Sequence, residues 1–314
     1  MAYVTGTANT IASVTSAIIS ACSSNGWTLT AADVISKGNC FIKLTTDAAN
    51  SRVALRAGLG YSAGALVTPC ALDCYLSALM SAEPLVFPIT YSAHILNNEV
   101  YFFLNWGVDK FANISFGQSG LQGGTGTGVW ISGAGFTATQ GGGGDLRWIT
   151  SGNDAGSFTG YYAASENHNA SFGLFAQIYG GSGSFSHGTY VHHGLPGWSD
   201  DTLTNYATTS GICRQLNFLD NPSTNPTGQA VLVPIQPFID RGSSLKSIVL
   251  DLLNARYVRL DTINPKDIIT IGPDRWMAYP MYKRDTATRL GSTGSGATAR
   301  HSGTYGYAIR YDGP

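Results

Sequence analysis

The stretch EVYFFLNWGVDKFANISFG, Glu99 to Gly117, limits the fold more than any other part of the chain. It carries six aromatic and only three charged residues in 19 positions. Side chains of a strand alternate between faces. Val100, Phe102, Leu104 and Trp106 therefore share one face, and Tyr101 and Phe103 share the other. A strand with one face in water alternates apolar with polar residues. This one is apolar on both sides, so both sides need cover. The cover is either a second sheet or loop of the same chain, or a neighbouring subunit.

The composition agrees with a β-rich chain that leaves little charge at its surface. Charged residues make up 12% of the 314, about half the usual ~25%. Glycine occurs 39 times, which fits short strands joined by tight turns. At 43% hydrophobic and 11% aromatic, the chain is not disordered by composition. The expected fold class is mainly β: a β-sandwich or barrel-like body with long Gly-rich loops and a small N-terminal α/β unit. Residues 1–66 form that helix-plus-hairpin unit, and 67–314 form the body.

Along the chain, residues 8–24 read as a helix, with Ile11, Val14, Ile18 and Cys22 near one stripe. Asn9 or Thr10 caps its start, and Asn25-Gly26 ends it. CFIKLTT (40–46) and RVALRAGL (52–59) read as a hairpin. PCALDCYLSALMSA (69–82) reads as a second helix, with Pro69 in its first turn and Pro84 beyond its end. Strands follow near 85–92, 99–106 and 111–117, the first two joined by Asn97-Asn98. Residues 117–160 hold 15 glycines, with Trp130 and Trp148 among them, which favours ordered strands and loops over a linker. From 161 onward the pattern stays β-like. ARYVRL, DIITIG and DRWMAYPMYKR read as strands, and TYGYAIRY as a closing strand. In that last strand Tyr305, Tyr307, Ile309 and Tyr311 share a face, and Gly306 and Ala308 leave the other nearly bare. A bare face admits close approach of another backbone or sheet.

Motifs with catalytic meaning are few. GYSAG, Gly60 to Gly64, fits the G-x-S-x-G nucleophile elbow and lies between an expected strand and an expected helix. In a chain this rich in glycine and serine, about half a match is expected by chance. No histidine-glycine oxyanion segment precedes Ser62. His187 and His193 would share a face of a regular strand, but no carboxylate stands at metal-motif spacing beside them. Glu83, Glu99 and Glu166 are the only glutamates, and Asp200-Asp201 looks like a turn or cap. GGTGTG is not a dinucleotide fingerprint, and there is no P-loop. Asn113-Ile-Ser115 and Asn169-Ala-Ser171 are sequons. Tyr161, Tyr162 and Trp198 are aromatic enough to stack on sugars, although aromatics of β folds more often belong to the core. The sequence therefore assigns no catalytic, cofactor-binding or metal-ligating residue, and the chain is expected not to be an enzyme.

A net charge of −1 gives no reason to expect nucleic acid as a partner, and no segment is apolar for long enough to span a membrane. The charge is unevenly spread. Residues 1–240 hold 7 Lys/Arg and 13 Asp/Glu, a balance of −6, and residues 241–314 hold 11 Lys/Arg and 6 Asp, a balance of +5. Such ends are able to attract one another between copies or partners. The first basic residue is Lys37, so no signal-peptide n-region is evident, and cytoplasmic folding is expected.

LNARYVRLDTINPKDIITIGPDRWMAYPMYKR (253–284) and GTYGYAIRY (303–311) resemble virion structural proteins of tailed bacteriophages, of the tail, baseplate or fibre-attachment kind. The carrying features are an arginine-bearing strand, a Pro-then-acidic turn, an I-x-I-G strand, a Trp-containing strand reaching Pro, and a final G-Y-A-I-R-Y. The aromatic strand pair and the opening helix followed by NGWTL are similar as well. The resemblance implies a structural part of a phage particle, made in the host cytoplasm, that links tail machinery to fibres or host-contacting parts. Its partners would be other virion proteins and copies of itself. Two alternatives are a receptor-recognition protein that grips host surface glycans and an esterase acting through Ser62.

Cys22, Cys40, Cys70, Cys74 and Cys213 are an odd set with no zinc-finger spacing, so they read as small buried apolar residues with free thiols. Reducing and non-reducing gels should then give one mobility. Denaturation without reductant should expose five titratable thiols, and fewer would reveal a bridge.

Overall fold

In a computed structural model of the chain, the Glu99–Trp106 strand lies in the middle of the fold. The structure describes residues 1–79, 83–136, 170–175, 189–194, 197–199, 230–240, 246–287, 289 and 301–314. The protein is mainly β, with one helix among the described residues, and its body is a β-sandwich.

The chain opens with a strand, Ala2–Ala8, which the expected helix start at residue 8 overlooks. Its residues alternate Tyr3, Thr5, Thr7 against Val4, Gly6, Ala8, a period of two in a very short segment. The helix, Ile11–Ser23, begins where Thr10 takes an extended backbone and accepts the Ser13 N–H at 3.1 Å. Ser13 returns the bond, its Oγ accepting from the Thr10 N–H at 2.9 Å, which closes a capping box with serine in place of the usual glutamate. Ile11, Val14, Ile18 and Cys22 are buried, as the stripe requires, and Gly26 at φ +88° follows its end.

The expected hairpin forms as Cys40–Asp47 and Arg52–Gly58. Thr28–Ala31 and Val34–Lys37 extend it on one side and Cys74–Leu76 on the other, giving an antiparallel five-stranded sheet under the helix. The second helix expected over 69–82 does not form in its described part. Cys74–Leu76 instead pairs with Val53–Leu55. Cys70, Cys74, Leu76 and Leu79 are all buried in that arrangement. The same apolar spacing suits a helical stripe, and the open edge of the hairpin decides between them by offering backbone partners.

The large sheet is a meander in which Ala2–Ala8 pairs with Ile89–Leu96, followed by Glu99–Trp106, Lys110–Gln118, Val129–Phe136, Thr189–His192 and Trp198–Ser199. Ala170–Phe172 also pairs with Val129–Phe136. Asn97-Asn98 makes the expected turn, with Asn97 at φ +49°. The strand before that turn starts at Ile89, later than the 85 expected, and runs to Leu96.

The third layer is the C-terminal sheet, ordered Val233–Ile235, Leu252–Arg259, Tyr305–Arg310, Asp274–Pro280 and Ile268–Ile271. The closing strand is thus central, paired on both sides. Its tyrosine side is buried as expected: Tyr305, Tyr307 and Ile309 are fully covered and Tyr311 nearly so. The bare side meets Val258, Leu260, Trp276 and Ala278 of the same sheet.

Three layers answer the question of cover. Towards the N-terminal unit, the Trp27 ring meets Phe116 edge-on at 5.3 Å. Gly133 lies so close to the unit that a Cβ there would stand 2.6 Å from the Tyr75 carbonyl oxygen, so only glycine fits. Phe116 and Gly133 share a face with Val100 and Phe102 through the ladder. Towards the C-terminal sheet, Phe103 stacks on Tyr279 at 3.9 Å and 9°, and Tyr307 lies 6.4 Å away. Both faces are therefore covered by the chain's own layers, not by a neighbouring subunit.

Tyr307 is fully buried, tilts against Tyr257, and donates its hydroxyl to the Gly173 carbonyl at 2.9 Å. Tyr307→Ala opens a cavity between the two sheets and removes the hydroxyl's bond to that carbonyl. The expected cost is about 3–5 kcal/mol, a large part of the ~5–15 kcal/mol that holds a domain folded. Urea unfolding of the variant beside the parent checks it, and a loss under 1 kcal/mol would show that the two sheets do not depend on this contact.

Candidate functional site

Ser62 lies on an exposed hairpin, Gly60–Ser62 with Ala65–Val67, turned by Ala63 and Gly64 at φ +51° and +80°. The expected strand-to-helix context of a nucleophile elbow is absent, because the chain turns back as a strand where a helix would have to start. Ser62 has no histidine or carboxylate partner among the described hydrogen bonds.

The described histidines are His94, the neighbours His192 and His193, and His301. His187, His168, Tyr161, Tyr162, Glu166 and Asp200-Asp201 lie outside the described residues, as do Asn169 and Cys213. His192 accepts the Thr127 N–H on Nδ1 at 3.1 Å and meets the edge of Trp198 at 5.4 Å. Trp198 in turn donates to the Thr68 carbonyl at 2.8 Å, so its ring pins the small hairpin to the large sheet. His301 accepts from the Gly303 N–H at 3.2 Å and stands 3.7 Å from Asp285. Among the described residues, no three His, Cys, Asp or Glu gather as a metal ion would need.

GGTGTG serves backbone packing. The Gly126 and Gly128 N–H groups donate to the His193 and His192 carbonyls at 3.0 and 3.1 Å. A Cβ at Gly126 would fall 2.3 Å from the His192 oxygen. N–H groups already committed to carbonyls do not cradle phosphate. The Asn113 sequon is in the interior, with Asn113 1% exposed, so the folded chain offers no glycan acceptor there. Cys22, Cys40, Cys70 and Cys74 are buried free thiols. Burial pushes all four up, Cys70 to about 12, which leaves them unreactive.

Two buried polar nodes went unnoticed in the sequence. Glu99 begins the aromatic strand. Its Oε2 accepts from the Tyr101 hydroxyl at 2.8 Å and from Asn254 Nδ2 at 2.7 Å, and its Oε1 from Ser119 at 2.5 Å. The Trp130 indole donates to Ser119 at 2.8 Å. Burial raises the Glu99 carboxyl above the usual carboxylate range, against the pull of those donors and Arg256. Because Asn254 belongs to the C-terminal sheet, this carboxylate ties the two sheets of the sandwich together. The second node is His94, whose Nε2 lies 2.8 Å from the Tyr279 hydroxyl, with Tyr3 and Tyr311 around its ring. Both nodes are assembled from strands far apart in sequence. The one local sign, at Glu99, is a charged residue at the head of a mostly apolar strand.

The positive C-terminal balance is largely used within its own sheet. Arg256 donates to the Leu252 and Ala255 carbonyls at 2.6 and 2.8 Å, and Arg284 to the Leu260 and Asp261 carbonyls at 2.7 and 3.2 Å. Arg259 and Arg289 face Asp261, and Arg310 pairs with Asp274 at 2.9 Å. Lys283 to Asp109, 3.4 Å and partly exposed, joins the two halves and contributes little.

Burial pushes His94 down to about 3, opposed only by a backbone contact at Arg310. An unfolded histidine titrates near 6.5. Folding thus favours the neutral ring. Its contribution is complete above pH ~6.5 and is lost as pH falls from there towards about 3. Between pH 7 and pH 5 the loss should be roughly 2 kcal/mol. Burial lowers His192 and His193 in the same direction. Urea melts at the two pH values check this, with His94→Gln expected to flatten most of the difference. An equal slope in the variant would remove His94 as the cause.

Compared with known proteins, the chain matches no family model, and no curated protein shows significant similarity to it.

Proposed function

We propose that the chain is a structural component of a tailed-phage particle, in the tail or baseplate, where it links tail machinery to fibres or host-contacting parts. The supporting observation is where the phage-like residues fall. Leu252–Arg259, Ile268–Ile271, Asp274–Pro280 and Tyr305–Arg310 come from two separated stretches, yet they are four neighbouring strands of one sheet. The resembling residues thus supply four of the five strands of one sheet, whose tyrosine face is built into the sandwich, and are not scattered over loops. Function on this reading is assembly through packed and backbone-edge contacts, with other virion proteins and copies of the same chain as partners.

Mass spectrometry of purified particles, with low-resolution imaging of a labelled chain, tests the proposal. A fixed copy number per particle at the tail end is expected, and absence from particles would overturn it. Turnover of a short-chain ester that disappears in Ser62→Ala would establish the esterase instead. Specific binding on a glycan array by the isolated chain would favour receptor recognition.

A further inference from the structure

In the N-terminal sheet, Ile42, Leu44, Val53 and Leu55 of the central hairpin enter the core. Lys43, Thr45, Ala54 and Arg56 share the other face of that hairpin. There Lys43 stands directly across the ladder from Arg56. Like charges directly opposite one another destabilise a sheet, so this pair is kept at a cost in stability. Together with Asp73, these four residues line a depression of about 220 Å³. Ala54, the smallest of the five and only 7% exposed, leaves the room between them.

We propose that this depression captures the C-terminal carboxylate of a partner polypeptide. The inference rests on the assembly function proposed above and gives it one contact with another protein.

Arg56 commits its Nε to Asp73 Oδ1 at 2.7 Å, and its two Nη groups make no other hydrogen bond among the described residues. Those two groups are able to take both oxygens of a carboxylate, and Lys43 adds an ammonium donor from across the ladder. Two cations beside one lining carboxylate leave one positive charge, which a single carboxylate balances and a phosphate dianion would overshoot. Lys43 also reaches Asp33 at 3.6 Å, but Asp33 does not line the depression, and an exposed pair of this kind yields at little cost. The second oxygen of Asp73 and the Thr45 hydroxyl are left to accept the amide N–H of the same terminal residue. The volume is below the about 300–1,000 Å³ of sites for drug-sized ligands, so it suits one residue and not a longer segment. A carboxylated sugar would satisfy the charges as well, but the ring it would stack on is already engaged. Tyr75, opposite Ala54 on the same face, carries the Arg52 guanidinium 4.2 Å from its centroid.

The test is titration of the full chain with acetyl-Gly-Gly-Ala bearing a free carboxylate, beside the same peptide amidated at its C-terminus, followed by the NMR shifts of the Lys43, Thr45 and Ala54 amides. Millimolar affinity is expected for one residue in an open site. Amidation, Lys43→Gln or Arg56→Gln should each weaken it about ten-fold or more, the loss of one charge-assisted contact. The two side chains are 40% and 37% exposed, so each variant should keep the parent's melting temperature, which separates lost binding from lost fold. Equal binding of the amidated peptide would overturn the inference, as would binding that survives Lys43→Gln and Arg56→Gln together. Acetate binding as tightly as the peptide would reduce the depression to a general anion patch, and D-glucuronate binding more tightly would make it a sugar site; either result overturns the inference too. Peptide capture by a chain absent from particles leaves the site standing and defeats the virion reading. No capture by a chain present in particles does the reverse.

Discussion

The stack of Phe103 on Tyr279 is where the large sheet and the C-terminal sheet meet face to face, and much of the fold follows from it. An aromatic strand apolar on both faces cannot sit at a surface. It has to be the middle layer, with one layer supplied from before it in the chain and one from after. The N-terminal unit takes the Val100 side and the C-terminal sheet takes the Tyr101 side. The low charge of the chain has the same origin, because a sheet buried on both faces has few places for a charged side chain. Where polar groups do enter, as at Glu99 and His94, each has partners across the layers. A buried carboxylate or imidazole without partners would cost several kcal/mol.

That arrangement also relocates the argument for assembly. A two-faced strand is compatible with a neighbouring subunit as cover, but here the molecule covers it alone. What is left for assembly is the surface of the described layers, where apolar side chains such as Leu29, Val86 and Leu253 stand exposed. Fold by itself does not give function. The proposed function therefore stands on the sheet that carries the phage-like residues and not on the fold as a whole.

Much of the architecture was legible because it is local. The 40–58 hairpin, the Asn97-Asn98 turn and the closing strand each show alternation bounded by turn residues, and each formed as read. Residues 69–79 were misread because Cys70, Cys74 and Leu79 suit a helical stripe, while a strand edge distant in sequence decided their conformation. Ala2–Ala8 was missed because seven residues, most of them small, carry too little pattern, and its partner strand begins 87 positions further on. The GYSAG motif was read in a context that depended on that same absent helix. Glu99 and His94 were not identifiable as ties, since Asn254 and Tyr279, their partners, are brought to them only by the packing of one sheet on another. A sequence shows what a residue is, and these roles depend on what arrives beside it.

Tyr3 and Tyr311 meet edge-on at 4.9 Å, although 307 positions separate them, and this has a bearing on the order of folding. The Ile89–Leu96, Glu99–Trp106 and Lys110–Gln118 meander closes through short turns, so its entropy of loop closure is small. The contact of Tyr3 with Tyr311 closes a loop of nearly the whole chain and gains nothing until both layers have docked. The meander is then expected as the early nucleus, with the first strand locking late, in the millisecond-to-second range typical of non-local β topologies. Pulsed hydrogen exchange would register this as protection over 89–118 before 2–8. Until that last step, the middle sheet presents aromatic residues on two sides at once, and the time spent in that state sets how exposed the chain is to misassembly with its own copies.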